Sequence, residues 1–167
     1  IFVPLTSSEN RDYIPFDFIN KKYIANNSCG LIPKATIYHF GILTSAMHMS
    51  WVKHVCGRLE SRYRYSNEIV YNNFPWANGI PQRKRDAVES AAQHIIDIRE
   101  KYYSNGSSLV DLYDTSIMPH DLLKAHQTLD KAVDKCYRDT PFTTDAKRIE
   151  FLFELYDTNT SGMFPDE

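Results

Sequence analysis

Residues 42–67 read ILTSAMHMSWVKHVCGRLESRYRYSN, and two patterns in this stretch decide the predicted fold. Apolar residues over 42–55 cover most of the circumference of a helix, which predicts a helix buried on several sides. Gly57 is placed to terminate that helix. From Arg58 to Asn67 the residues alternate in character, which is typical of a strand.

The predicted strand carries charged side chains on one face. Glu60, Arg62 and Arg64 would project to the same side, with neighbours roughly 6.6 Å apart, which is about the rise of two DNA base pairs. In the major groove a Glu accepts from the cytosine amino group, and an Arg donates two bonds to guanine. The three side chains are therefore candidates for reading base edges. The more ordinary interpretation of the pattern is a solvated edge strand whose charges prevent aggregation.

Composition and charge limit the possible classes of protein. With 167 residues and 43% hydrophobic content, the chain has room for one ordinary domain, or a small domain and part of another. The net charge of −2 conceals an asymmetry. Up to Val110 there are 13 Lys and Arg against 9 Asp and Glu, and from Asp111 onward 6 against 12. Contact with a polyanion is therefore predicted in the first two-thirds, and the acidic end should face solvent or a partner.

Cysteine usage and hydropathy bear on localisation. The three cysteines are odd in number and far apart, so no disulfide framework follows and a reducing cytosol is the simpler interpretation. No signal peptide and no apolar run near 18 residues is visible, so a cytoplasmic protein without a membrane partner is predicted. The chain begins at Ile1 without an initiator Met, and we expect it to be a piece of a larger protein.

The sequence divides into two predicted regions. Short strands are predicted at 1–3, 13–16 and 35–39, separated by polar and proline-containing connectors. The turn signal Ala77-Asn-Gly79 is the predicted domain boundary, which separates residues 1–77 from residues 78–167. After it, apolar residues recur at helical spacing in three segments. The predicted fold class is α+β, with a small mixed strand and loop region around a buried helix, followed by a C-terminal bundle of about three α-helices.

Three motifs suggest chemistry that the rest of the sequence does not support. Asn73-Phe-Pro-Trp76 differs by one residue from the Asn-Pro-Pro-aromatic motif of amino-methyltransferases, but no Gly-rich turn precedes it, so packing is predicted. Asp157-Thr-Asn-Thr-Ser-Gly162 matches the opening of a calcium loop but lacks its end, so a polar helix exit is predicted. The histidine pairs are six residues apart, on different helix faces, and predict no metal site: His48 with His54, and His120 with His126.

Basic residues form two clusters in the positive part of the chain. One surrounds the charged strand, and the other, Arg83-Lys-Arg85, follows the predicted domain boundary. Both are candidates for phosphate contact, although an exposed first helical turn explains the second cluster equally well. The predicted phosphate-contacting residues are Lys53, Arg58, Arg83, Lys84 and Arg85.

Several blocks of the sequence resemble the MmeI-like DNA methyltransferases, large bacterial proteins of the type IIL restriction–modification kind. In the first region these blocks are YHFGILTSAMHMSW (38–51), CGRLESR (56–62), YRYSN (63–67) and IVYNNFPW (69–76). In the second region they are LVDLYD (109–114), MPHDL (118–122) and AHQTLDKAVD (125–134). The resemblance extends over nearly the whole chain. One departure is Ala77 after Trp76, where the family usually has Pro.

The resemblance implies an adenine-specific methyltransferase that uses S-adenosylmethionine. This chain would hold the end of its target-recognition domain and its C-terminal helices, and it would contact double-stranded DNA. The methyl-donor and catalytic motifs would belong to an upstream methyltransferase domain of the same polypeptide, so no catalytic and no metal-binding residue is assigned here. The resemblance further implies that Glu60 and Arg62 read one base pair together and that Arg64 also contributes to specificity.

A second class of function fits the residues without the resemblance. The acidic helical bundle would dock a protein partner, and the arginine-bearing strand would only close a sheet, with no direct DNA contact. Salt-dependent binding to duplex DNA separates this protein-interaction module from a DNA-recognition module.

Overall fold

The first half of the chain contains two small antiparallel sheets. The structure is a computed structural model that describes residues 1–19 and 25–161. β1 (Phe2–Pro4) pairs with β3 (Cys29–Leu31), and β2 (Thr6–Ser7) pairs with β5 (Arg62–Arg64), which also pairs with β4 (Gly57–Leu59). The predicted strand at 1–3 is therefore confirmed within one residue. The prediction for 13–16 was wrong, because these residues form no strand, and only the adjacent Asp17 makes an isolated bridge, to Phe2.

The predicted strand at 35–39 is a helix instead. α1 (Ile37–Leu43) begins after Thr36, whose N–H donates to Nδ1 of His39 over 3.2 Å. Phe40 is fully buried on this helix. β-branched and aromatic residues favour strands only weakly, and here the helix start and the burial of its apolar face override that preference.

The predicted buried helix over 42–55 is two helices. α2 (Ala46–Val55) starts anew after Ser45, whose side chain accepts from the N–H of His48 over 3.4 Å. A Ser with an extended backbone is a common N-cap, which explains the break. The expected burial is present, since Met47, Trp51 and Val52 are almost inaccessible. Gly57 does not terminate the helix as predicted; it begins β4.

The second half is helical, as predicted. It consists of α3 (Gln82–Tyr103), the short α4 (Leu109–Leu112), α5 (His120–Tyr137) and α6 (Asp145–Thr160). Thr144 accepts from the N–H of Lys147 over 3.2 Å and begins α6, while Ser108 and Asp111 form a capping box for α4. The α+β fold class is therefore confirmed. Residues 157–161 continue or end α6, whereas Gly162 of the calcium-like motif lies outside the described residues.

One hydrophobic core runs through both halves. α1 approaches α3 so closely that a Cβ on Gly41 would lie 2.7 Å from Cγ1 of Val88. α2 packs on α6, where the ring of Trp51 lies 5.5 Å from that of Phe153 and 5.9 Å from that of Tyr156. The helical half therefore supports α2, and α2 leads directly into β4.

Candidate nucleic-acid interface

The charged stretch is a β-hairpin and not one continuous strand. Leu59 pairs with Arg62, which leaves Glu60 and Ser61 as a two-residue loop between β4 and β5. The prediction that Glu60 shares a strand face with Arg62 and Arg64 was therefore wrong. The alternating pattern is compatible with either arrangement, because both arms of a hairpin have a period of two residues.

The loop holds Glu60 in a conformation that most residues avoid. The backbone angle φ of Glu60 is +56°, in the left-handed region, whereas φ of Ser61 is not positive. A positive φ at the first loop position alone is the pattern of a type II′ hairpin turn, where Gly is usual. A non-glycine residue in this region is uncommon, so the surrounding contacts must maintain it.

Arg62 and Arg64 project from the exposed face of β5. Tyr63 between them points to the opposite side and is buried. Leu59 is the cross-strand partner of Arg62, which places it on the same exposed face. Sequence reasoning did not select Leu59, because only the hairpin register brings it next to Arg62.

Glu60 and Arg62 form an ion pair at the tip of the hairpin. Nη2 of Arg62 lies 2.7 Å from Oε2 of Glu60, and the side chains are 48% and 76% exposed, respectively. An exposed pair of this kind contributes only about 0–1 kcal/mol to stability. The contact therefore brings a carboxylate acceptor and a guanidinium donor side by side without burying either group.

Two features near the hairpin are not apparent from the sequence. Glu9 lies close to the tip, and hydrogen bonds from the Ser61 side chain and from its own backbone lower the pKa of its carboxyl, with Arg58 and Arg62 adding attraction. A cavity of about 690 Å³ opens beside Arg64 and is also lined by Asn27. Such contacts join residues far apart in sequence, so no local signal predicts them.

The predicted phosphate-contacting residues of the first cluster have partners within the chain. Nζ of Lys53 donates to Oδ2 of Asp145 over 2.8 Å. Arg58 donates to the carbonyl oxygens of Ser61 and Lys53. Both side chains reach the surface, and their phosphate role stays a prediction.

The second basic cluster occupies the first turn of α3. Nζ of Lys84 donates to the carbonyl oxygen of Lys135 over 2.6 Å and to Oδ1 of Asp139 over 2.8 Å. The guanidinium of Arg85 lies 4.2 Å from the ring centre of Tyr38. Arg83 is exposed on the same turn. Arg85 therefore connects the two halves of the molecule, Lys84 is bound within the helical half, and Arg83 is the best placed for an outside partner.

Two of the histidines have structural roles. His48 is buried and its Nε2 lies 3.0 Å from the hydroxyl of Tyr65, and burial lowers its pKa to about 3. His126 is buried against Tyr13, with ring centres 4.1 Å apart. Among residues 1–19 and 25–161, no three His, Cys, Asp or Glu side chains come together as a possible metal site. Within the same residues, no helix has the length and apolarity needed to cross a membrane.

Two family models match the chain, one over the region of the small sheets and the other over the helices that follow. Residues 1–78 match the family model described as the MmeI target recognition domain, and residues 80–164 match the MmeI C-terminal domain. The chain belongs to the MmeI family, and the resemblance read from the sequence is confirmed.

Two relatives support this assignment. DNA methyltransferase A of Bacillus subtilis (strain 168) is 44% identical over 163 residues, which are 96% of this chain and 18% of that protein. The solved structure of the type IIL restriction–modification enzyme MmeI in complex with DNA superposes with a TM-score of 0.90 at 48% identity. The superposition covers 96% of this chain and 21% of that one. The chain therefore spans about a fifth of the length of the relatives it matches.

Proposed function

We propose that this chain is the DNA sequence-recognition module of a bacterial site-specific adenine DNA methyltransferase and has no catalytic activity by itself. Its division into residues 1–77 for recognition and 78–167 for the helical domain is part of this proposal. The observation that carries it is the exposed pair of Glu60 and Arg62 at the hairpin tip. The similarity to a protein solved in complex with DNA supports duplex DNA as the partner.

The hairpin has suitable dimensions and chemistry for the major groove. That groove is about 12 Å wide and admits a two-stranded β-ribbon. Glu60 would accept a hydrogen bond from the cytosine amino group, and Arg62 would donate to the guanine paired with that cytosine. Their 2.7 Å contact supports a joint reading of one base pair.

Arg64 would contribute to the reading of a neighbouring position. It projects from the same face of β5 as Arg62, and same-face residues of a strand are roughly 6.6 Å apart. This spacing is about twice the rise of a base pair. Arg64 also borders the cavity beside the hairpin, which leaves space for a base edge.

The basic residues outside the hairpin face would provide sequence-independent affinity. We propose phosphate contacts for Lys53, Arg58, Arg83, Lys84 and Arg85, with Arg83 supported best because it is exposed. Each phosphate neutralised makes binding more sensitive to salt.

The polypeptide that carries this module would use S-adenosylmethionine, bound by an upstream methyltransferase domain that is also its intramolecular partner, and it would act in the cytoplasm. The residues described here do not fit a target-amine site. Nδ2 of Asn73 donates to the carbonyl oxygens of Glu68 and Ile69, and Phe74 is buried. We therefore derive no methyl-transfer step through this chain.

Exchanging the charges at the hairpin tip tests the proposal. In the full-length protein, Glu60→Lys with Arg62→Asp should reverse the preferred base pair at one position, because Lys takes guanine and Asp takes the cytosine amine. Each lost pairing should cost about 1–3 kcal/mol of discrimination. Mapping of methylated sites in cells that express the protein measures the change.

A second charge exchange provides the control. Lys147 and Glu150 form an exposed pair of 2.6 Å on α6, so Lys147→Glu with Glu150→Lys makes the same kind of change away from the hairpin. This control should leave the methylated sequence unaltered. An unaltered sequence in the hairpin variant would reject the base-reading role. Absence of salt-dependent binding to duplex DNA would favour the protein-interaction module instead.

A further inference from the structure

We propose that Arg58 is a positioning residue for base recognition, which braces the hairpin loop so that Glu60 and Arg62 are presented together. The inference rests on the proposed function of the hairpin tip. It adds a role for a residue that makes no base contact of its own.

The guanidinium of Arg58 joins the recognition loop to the end of α2. Nη1 donates to the carbonyl oxygen of Ser61 over 3.1 Å, and Nη2 donates to the carbonyl oxygen of Lys53 over 3.3 Å. Ser61 is a loop residue, and Lys53 lies in the last turn of α2. A planar guanidinium has separate donors that reach two carbonyl groups at once, which a Lys ammonium does not reproduce with the same geometry.

An aromatic ring fixes the plane of this guanidinium. The central carbon of the Arg58 guanidinium lies 4.2 Å from the ring centre of Tyr63, which is its cross-strand partner. Tyr63 is buried, so the ring is held by its own packing. Stacking on a fixed ring restricts the orientation of the Arg58 guanidinium, so its donors face the two carbonyl groups.

The loop requires the hydrogen bond from Arg58 because its conformation is unfavourable for Glu. Glu60 has a φ of +56°, and it immediately precedes the residue whose carbonyl Arg58 binds. Without that bond the loop has access to more common conformations, in which the carboxylate no longer lies 2.7 Å from Arg62. Arg58 therefore controls whether the donor and the acceptor reach one base pair together.

The positioning role and a phosphate contact have different consequences. A phosphate contact gives equal affinity losses on all duplexes and a shallower salt dependence, and Lys replaces Arg with little loss. A positioning role affects discrimination only at the base pair read by Glu60 and Arg62. In that case Lys does not restore the function.

The test compares Arg58→Lys with Arg138→Lys, the same substitution in the helical half at a guanidinium that also donates to two carbonyl oxygens and lies over an aromatic ring, that of Phe142. Binding of the full-length protein is measured over a salt series on three duplexes. One carries the recognition sequence found by methylation mapping, one is changed at the base pair assigned to the hairpin tip, and one is changed elsewhere in the site. Arg58→Lys should reduce discrimination at the hairpin position about tenfold and leave the other position and the salt slope unchanged. Arg138→Lys should change neither.

A coupling measurement separates positioning from general damage. In a Glu60→Ala, Arg62→Ala background, Arg58→Lys should produce no further loss of discrimination, because the groups it positions are absent. If Arg58→Lys fails to fold, Arg58→Gln provides the same comparison with one donor group retained.

The outcomes also distinguish this inference from the proposed function. Equal losses on all three duplexes, or no change at all, would overturn the positioning role while leaving the charge exchange informative. If the exchange at Glu60 and Arg62 leaves the methylated sequence unaltered, the proposed function itself fails.

Discussion

Two ion pairs of this chain have the same chemistry and opposite surroundings. The pair at the hairpin tip, Glu60 with Arg62, spans 2.7 Å and its side chains are largely exposed. The pair between α5 and α6, Asp134 with Arg148, spans 2.8 Å, and its side chains are only 10% and 13% exposed. The two distances are nearly equal, so the difference between the pairs lies in their burial. Each member of the exposed pair can exchange its partner for a base edge at little cost, whereas the buried pair holds α5 and α6 together.

The two halves of the molecule also depend on each other. The carboxylate of Asp130 on α5 accepts from the N–H of Ala46 over 2.7 Å, at the start of α2. It also accepts from the hydroxyl of Tyr13 over 2.7 Å. A residue of the helical half therefore caps α2, the helix that leads into the hairpin. The surface that would meet DNA gains its fixed position from buried polar contacts elsewhere.

Removal of the buried cation should have the largest effect on stability. Arg148 donates from Nε and Nη2 to the two carboxylate oxygens of Asp134, so Arg148→Met leaves a buried, unpaired carboxylate. The expected loss is about 3–5 kcal/mol in the free energy of unfolding, measured by urea denaturation. The double variant Arg148→Met, Asp134→Leu should recover much of this loss, because it removes both charges. A single-variant loss below about 1 kcal/mol would mean that the pair behaves as an exposed one.

The capping carboxylate should make stability depend on pH. Burial raises the pKa of Asp130 to about 6 from an ordinary value of 3.8, despite hydrogen bonds from Ala46 and Tyr13. The folded state therefore binds more protons than the unfolded state between these two values, so this carboxyl makes stability fall as pH rises from about 4 to about 6. The stability of the wild type relative to Asp130→Asn should decrease over that window by about 1–3 kcal/mol and be level above it.

An exposed carboxyl provides the control for the sign of this effect. A hydrogen bond from Lys84 lowers the pKa of Asp139 below its ordinary value. The stability that this carboxylate adds to the fold is therefore present above the ordinary pKa and is lost as the pH falls. Relative to Asp139→Asn, the wild type should therefore lose stability on acidification. Equal pH profiles for the wild type and Asp130→Asn would contradict the burial of a titrating carboxyl at the start of α2.

The parts of the fold that follow local rules were predictable from the sequence. The three long helices carry apolar residues at helical spacing, and Thr144 marks the start of α6 by its capping side chain. The division of the predicted first helix by Ser45 also had a local signal, since Ser is a preferred N-cap. That signal was outweighed by the continuous apolar run around it.

Other features depend on contacts between distant residues and had no local signal. The cap that Asp130 provides to Ala46 joins two helices 84 positions apart in the chain. The candidate site was predictable in its residue types, and the charges at Glu60 and Arg62 were selected from the sequence alone. Their arrangement was not, because the alternation that indicated a strand gives no direct sign of the turn at Glu60.

The exposed pair should have the smallest effect on stability and a specific effect on recognition. Glu60→Gln with Arg62→Gln removes both charges, and the free energy of unfolding should change by less than about 1 kcal/mol, since both side chains are already in solvent. Discrimination at one base pair should fall by about 1–3 kcal/mol for each lost pairing, because an amide does not reproduce a guanidinium at guanine or a carboxylate at cytosine. Denaturation and duplex binding on the same preparation measure both quantities. A loss of stability as large as that of Arg148→Met would show that the hairpin pair is structural, and it would place both ion pairs in the same class.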